Sequence, residues 1–290
     1  MTMRGMTRRG LLALAGLSLP TAPKTLSAAE GPSLLTAPLQ VDGDWGQSAP
    51  WDARRVVARM REVCLAGVKL VSDRQPARLR VEDHATGLPH IWLHTDQPDL
   101  AWIVVDIGTR DWCKLAYQFG HELGHVLCNS WQWKSTGNPP CRWLEEAMVE
   151  AFSIRGLALL AASWHRNPPF PRDSAFSKSV DQYRVTTMEA YRRVGGPLPG
   201  EPLAPWFRSN RDALDKATGV GPDEGPAILT LAAEYLRDPA LIADLGAVNR
   251  WPGRSAVAIG DYLRLWSKSC AELGAPNRLP ALLAERLGIA

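Results

Sequence analysis

The apolar residues Leu115, Ala116, Phe119, Leu123, Val126 and Leu127 recur at intervals of three and four, which predicts a helix from residue 112 to about 129. The segment before it, Ala-Trp-Ile-Val-Val-Asp-Ile over 101–107, is rich in β-branched and aromatic residues and predicts a buried strand. Between the two, residues 108–111 supply a turn and an N-cap, Thr109 or Asp111. Further upstream, Val56, Val57, Met60, Val63, Cys64 and Val68 give helical spacing over 51–69. Residues 77–81 alternate as a strand does, 86–89 read as a turn, and 91–95 read as a second strand. With 101–107 these make a small mixed or antiparallel sheet. Residues 31–50 are rich in Pro and Gly and predict an extended lead-in. Beyond residue 166 the pattern changes. Pro- and Gly-rich breakers at 167–171 and 195–200 separate helical stretches at 174–194, 227–237, 240–248, 256–273 and 280–287. The predicted class is α+β: a small sheet ahead of the central helix, a second helix after it, then a mainly helical carboxy-terminal lobe. No internal repeat or low-complexity tract is evident.

The central helix carries His121-Glu122-Leu123-Gly124-His125. Positions four apart on a helix lie one turn above each other, so both imidazoles point the same way and can bind one metal ion together. Glu122 sits about 100° round the helix, within reach of a water held by that ion. Two imidazoles for Zn²⁺ and a carboxylate as general base is the zincin arrangement. A catalytic zinc takes a third protein ligand and keeps a position open. The metzincin spacing is excluded, because positions 128 and 131 are Cys and Trp.

Downstream the chain reads Arg142-Trp-Leu-Glu-Glu-Ala-Met-Val-Glu-Ala-Phe-Ser153. Glu146 and Glu150 are i, i+4 on one helical face, with Glu145 turned about 100° away. Two carboxylates on one face repel unless a cation or a proton donor lies between them. The alternative is a solvated acidic face with Arg142 and Arg155 as neighbours. This segment resembles the second zinc helix of the gluzincins, the superfamily of thermolysin and the zinc aminopeptidases, whose aminopeptidase branch reads W-L-N-E-G-F-A-E. The resemblance spans roughly residues 100–160. It implies Glu146 as the third zinc ligand, Glu150 as a carboxylate that orients a ligand histidine, and a zincin-like fold acting on peptides or proteins. Position 145 is Glu where that branch has Asn, position 147 is Ala where it has Gly, and no G-A-M-E-N-type motif precedes the helix.

The first 29 residues predict an export signal. Met1 to Arg9 is basic, 11–19 is a short apolar run, and Ser27-Ala28-Ala29 supplies small residues for cleavage. Thr7-Arg8-Arg9-Gly10-Leu11-Leu12 resembles the twin-arginine type, with an ordinary secretory signal as the alternative. A periplasmic or extracellular protein follows, with a catalytic domain over 30–166 and a helical lobe over 167–290. The 290-residue chain carries a net charge of +3, and losing Arg4, Arg8, Arg9 and Lys24 with the signal takes it to −1. The basic pI therefore gives no argument for nucleic acid as a partner. No other apolar run approaches a membrane span. Five cysteines remain. Cys128 and Cys141 bracket the loop between the two predicted zinc helices and are either a disulfide or two reduced, buried thiols. Trp131, Trp133 and Trp143 gather near the same segment, as core packing or as a stacking surface. His84, His90 and His94 lie in or beside the strands and read as surface residues. His165, Tyr183, Tyr191 and Tyr235 are the candidates for an oxyanion donor, unranked. The sequence thus predicts an exported zinc metallopeptidase with one Zn²⁺ per chain. Two other readings stay open: a catalytically idle zincin-like protein, and an exported Trp-rich module that binds peptide or cell-wall glycan.

Overall fold

A computed structural model describes residues 33–43, 45, 50–84, 87–108 and 111–289. The expected export signal, the possible cap at Thr109 and the first residue of the turn at 86–89 lie outside the described residues. Gly31–Ala290 form one compact unit. In chain order its elements are β1 (Leu39–Gly43), α1 (Pro50–Leu65), β2 (Arg78–Asp83), β3 (His90–Ile91), β4 (Leu100–Val105), α2 (Trp112–Leu127) and α3 (Arg142–Arg166). Then follow α4 (Ser177–Arg192), α5 (Ala204–Leu214), α6 (Gly225–Arg237), a 3-10 stretch (Pro239–Ala247), α7 (Ile259–Leu273) and α8 (Arg278–Leu287). The fold is mixed α+β, a small sheet with a helical remainder.

The sheet has the order β1-β2-β4-β3. β1 and β2 pair in parallel, as do β2 and β4, while β3 runs antiparallel to β4 at one edge. Every residue of β4 except Trp102 is buried, which is why 101–107 read as a continuous apolar run rather than an alternating one. β1 differs from the extended lead-in expected over 31–50: Leu39 to Gly43 pair with Leu79 to Asp83. Its short Leu-Gln-Val-Asp-Gly pattern gives too few alternations to mark a strand. β3 is His90–Ile91, so of the strand expected over 91–95 only Ile91 is in it. α5 was not expected at all, since it is amphipathic over only 11 residues. The stretch expected as a helix over 240–248 is a 3-10 run instead, opened by Pro239 with the Asp238 side chain capping the Ala240 N–H.

α2 starts where its Asp111 side chain accepts the Lys114 N–H at 2.9 Å. It ends at Cys128, and Asn129 follows with a φ of 61°. α2 and α3 pack antiparallel and closely. A Cβ on Gly124 would lie 2.7 Å from Val149 Cβ, and one on Gly120 would lie 2.9 Å from Ser153 Oγ and 2.6 Å from Met60 Cε. The two glycines therefore let the α2 backbone sink onto α3. α3 is long and apolar enough to cross a membrane by length and composition, and it is buried along most of its length between α2, α1, α4 and α6. Arg155, which the alternative reading placed beside the glutamates, does not pair with them. Its guanidinium donates instead to the carbonyls of Tyr235, Cys64 and Ala66.

Candidate metal centre

The close α2–α3 contact determines which side chains meet. With Gly124 against Val149 and Gly120 against Ser153, the side chains one step round each helix face each other across the seam. His121, His125 and Glu146 converge, their ligating atoms all within 4.8 Å of one another. Glu146 Oε2 lies 3.3 Å from His121 Nε2 and 3.5 Å from His125 Nε2. The imidazole centroids are 5.0 Å apart with the rings steeply tilted. All three residues are buried, so this group could hold a metal ion.

Each imidazole is held from behind by a different glutamate. His121 Nδ1 is 2.9 Å from Glu150 Oε2. His125 Nδ1 is 2.8 Å from Glu145 Oε1. An Nδ1–H given to a carboxylate leaves the Nε2 lone pair free for a metal. No sequence pattern assigned Glu145 a role. It lies five residues before Glu150 on α3, and because the helices are antiparallel that step reaches His125, four residues beyond His121 on α2. The acidic face is not solvated either: Glu145, Glu146 and Glu150 are all almost wholly buried.

The supporting carboxylates are themselves anchored. Glu150 Oε1 accepts the phenol O–H groups of Tyr117 at 2.8 Å and Tyr191 at 3.0 Å. Burial, together with the Glu150 charge, pushes both phenols well above their ordinary range. Glu145 Oε1 accepts from Ser130 Oγ at 2.6 Å, and its Oε2 accepts from Asn249 Nδ2 at 2.7 Å. Arg254 donates to Ser130 Oγ and to the carbonyls of Asn129 and Asn249. Tyr117 lies four residues before His121 and could have been found by helical spacing. Asn249 and Arg254 come from more than a hundred residues away, and no local pattern marks them.

The electrostatics follow from this packing. Burial alone would lower His125, but Glu146 and Glu145 outweigh it and raise it to about 9. His121 is also raised, by Glu146 and Glu150 against burial. Burial pulls Glu146 up, yet His125 and His121 hold it well below the usual carboxylate range. Glu122 goes the other way: burial raises it, and the two imidazoles only partly offset that. Among the described residues no hydrogen bond or ion pair engages its carboxylate.

Glu122 instead faces a cleft of about 520 Å³, together with His121, His125 and Glu146. The edge strand β3, Arg142 and Gly219–Val220 line the other sides. A second cavity of about 1040 Å³ adjoins it, sharing Tyr117 and Val220 and continuing along α4 past Tyr183 and Tyr191.

The remaining candidates disperse. Tyr235 is fully buried in the core, and His165 sits near the far end of α3. Trp143 is core, Trp131 is buried with its N–H on the Arg74 carbonyl, Trp133 is exposed, and none of the three lines the cleft. His84 pairs with Glu82 and His94 with Asp96, while His90 reaches the cleft wall. Cys128 and Cys141 are free, buried thiols rather than a disulfide, and Cys141 Sγ donates to the Val257 carbonyl at 3.0 Å. Comparison of the chain with protein-family models, curated proteins and solved structures returned no match.

Proposed function

We propose that the chain is an exported zinc-dependent hydrolase, a metallopeptidase of gluzincin type acting on peptides or proteins. One observation carries the reading: His121 Nε2, His125 Nε2 and Glu146 Oε2 converge at the floor of a cleft in which the Glu122 carboxylate stands unengaged.

The donor set suits a divalent cation. With both imidazoles neutral, the carboxylates of Glu122, Glu145, Glu146 and Glu150 face two guanidiniums, Arg142 on Glu146 and Arg254 behind Ser130. Two negative charges then need a partner: in the metal-free chain the raised imidazoles supply it as cations, and a bound divalent cation would take the place of those two protons. Two imidazoles plus one carboxylate is a zinc ligand set that leaves a position open. Zinc bound there supplies Lewis acidity, lowering the pKa of a water and polarising a scissile carbonyl.

The protein's own residues supply the rest. Glu122, its proton affinity raised by burial, accepts a proton from water and passes it to the leaving amine. Glu150 and Glu145 fix the tautomers of His121 and His125. β3 bonds to β4 along one edge only, and its residues line the cleft, so its free edge offers backbone groups to an extended peptide. The adjoining cavity has room for the side chains of such a substrate. The tryptophan-rich binding module gains no support from this cleft, since Trp131, Trp133 and Trp143 lie outside its wall.

The test is metal content followed by turnover. The purified chain is expected to hold about one zinc, and Glu146→Ala to lose it. Glu122→Gln is expected to keep the metal and lose turnover of a peptide library by about 10²–10⁴-fold. A chain that takes up no zinc refutes the reading. Full turnover in Glu122→Gln refutes the assigned base.

A further inference from the structure

The two oxygens of Glu146 have different surroundings. Oε2 faces the imidazoles, while Oε1 accepts from Arg142 Nη2 at 2.7 Å, one turn earlier on α3. The same guanidinium donates through Nε to the Thr218 carbonyl at 2.6 Å, and through Nη1 to the Gly137 carbonyl at 3.4 Å. Both carbonyls belong to loops that reach the cleft, 135–137 through all three residues and 218–220 through Gly219 and Val220. A Cβ on Gly137 would lie 2.6 Å from Arg142 Nη1, so a side chain there would displace the guanidinium. Arg142 is itself part of the cleft wall. One planar cation thus touches the third candidate ligand and both flanking loops.

Resting on the metal-centre reading above, we propose that Arg142 is a positioning residue. It commits Glu146 to ligation through Oε2 alone, and it ties occupancy of the metal position to the order of loops 135–137 and 218–220. A carboxylate with both oxygens free can swing, bind an ion through either oxygen, or turn to water. With Oε1 held, one oxygen in one direction remains. Only a forked donor can reach a carboxylate and two carbonyls at once, because an ammonium is a single compact point of charge. The coupling runs both ways by linkage: an ion that fixes Glu146 fixes Arg142, and through it the two loops.

Arg142→Lys keeps the charge and removes the fork. Gly137→Ala keeps the arginine and displaces it. Zinc affinity is read by competition with a chromophoric chelator, ligand geometry by the visible spectrum of the Co²⁺-substituted protein, and loop order by hydrogen exchange with and without zinc. Both variants are expected to bind zinc about 10–100-fold more weakly than the parent. Their Co²⁺ spectra are expected to shift, and the zinc-dependent protection of 135–137 and 218–220 is expected to disappear. Loss of stability alone would move none of these in a variant that still unfolds cooperatively. If both variants keep the parent's affinity, spectrum and loop protection, the role assigned to Arg142 is wrong while the metal centre stands. If the unaltered chain itself binds neither zinc nor Co²⁺, the metal-centre reading fails and takes this inference with it.

Discussion

At the residue scale the site rests on a pair of glutamates that never touch the metal position. Glu150 was legible because helical spacing placed it one turn beyond Glu146 and the gluzincin resemblance gave it a role. Glu145 was not, because a single helix seen alone shows only which residues share a face. What a residue turned by 100° meets depends on the direction of the neighbouring helix, and an antiparallel α2 delivers His125 to it. The two glutamates differ in their anchors: Glu150 holds two phenols, and Glu145 holds Ser130 and Asn249. Each of Glu145→Gln and Glu150→Gln is expected to weaken zinc binding by about 10–100-fold, since the tautomer is no longer enforced. Titration with a chelator competitor reads both. Equal affinity in either variant would remove that glutamate from the site. Asn249→Ala is expected to act in the same direction and to spare His121, because its amide reaches Glu145 and not Glu150.

At the element scale the decisive feature is the closeness of α2 and α3. Glycine inside a helix costs about 1 kcal/mol relative to alanine by propensity, so two of them, one just before His121 and one just before His125, need a compensating gain. Contact with Val149 and Ser153 supplies it. Gly124→Ala improves helix propensity but forces Val149 away. It is expected to destabilise the chain by about 1–3 kcal/mol and to lower zinc affinity with it, because the seam holds Glu145 and Glu146 in reach of the imidazoles. Chemical denaturation with and without zinc checks both effects. A more stable Gly124→Ala variant would mean that the helices are not that tightly packed. The helices and β4 were legible because their periodicity is long or their apolar run continuous. β1 and α5 were not, being short segments whose identity comes from what they pack on. The segment between α2 and α3 left Cys128 and Cys141 open, and the structure holds them as thiols. Unfolding without reductant in the presence of an alkylating agent is therefore expected to label all five cysteines. Labelling of three would restore a bridge.

At the scale of the whole molecule, residues spread from β3 to Arg254 serve one centre: β3 forms the rim, α2 and α3 the floor, Tyr191 of α4 holds Glu150, and Asn249 with Arg254 locks Glu145 from the carboxy-terminal half. Neither pentapeptide nor helix pattern could show that, since these contacts join positions scores of residues apart. A metal bound there would be linked to the fold, with opposite pH signs in the metal-free and metal-bound forms. In the metal-free chain His125 keeps its proton up to about 9 when folded, against an ordinary 6.5 when unfolded. Below 6.5 both forms carry the proton and the stabilisation is complete. Between 6.5 and about 9 the unfolded chain releases it while the folded chain retains it, so stability falls through that interval. Zinc requires the neutral imidazole and must displace that proton, so its apparent affinity rises over the same interval, by up to about tenfold per pH unit for each proton released. Ligand bound only by the folded state raises stability by about 4 kcal/mol at a thousandfold excess over its Kd. Thermal unfolding between pH 6.5 and 9 is thus expected to show the melting temperature of the metal-free chain falling while the gap opened by zinc widens. A gap that narrows toward pH 9 would mean that no histidine proton is displaced, and that the ion, if it binds, binds somewhere other than between His121, His125 and Glu146.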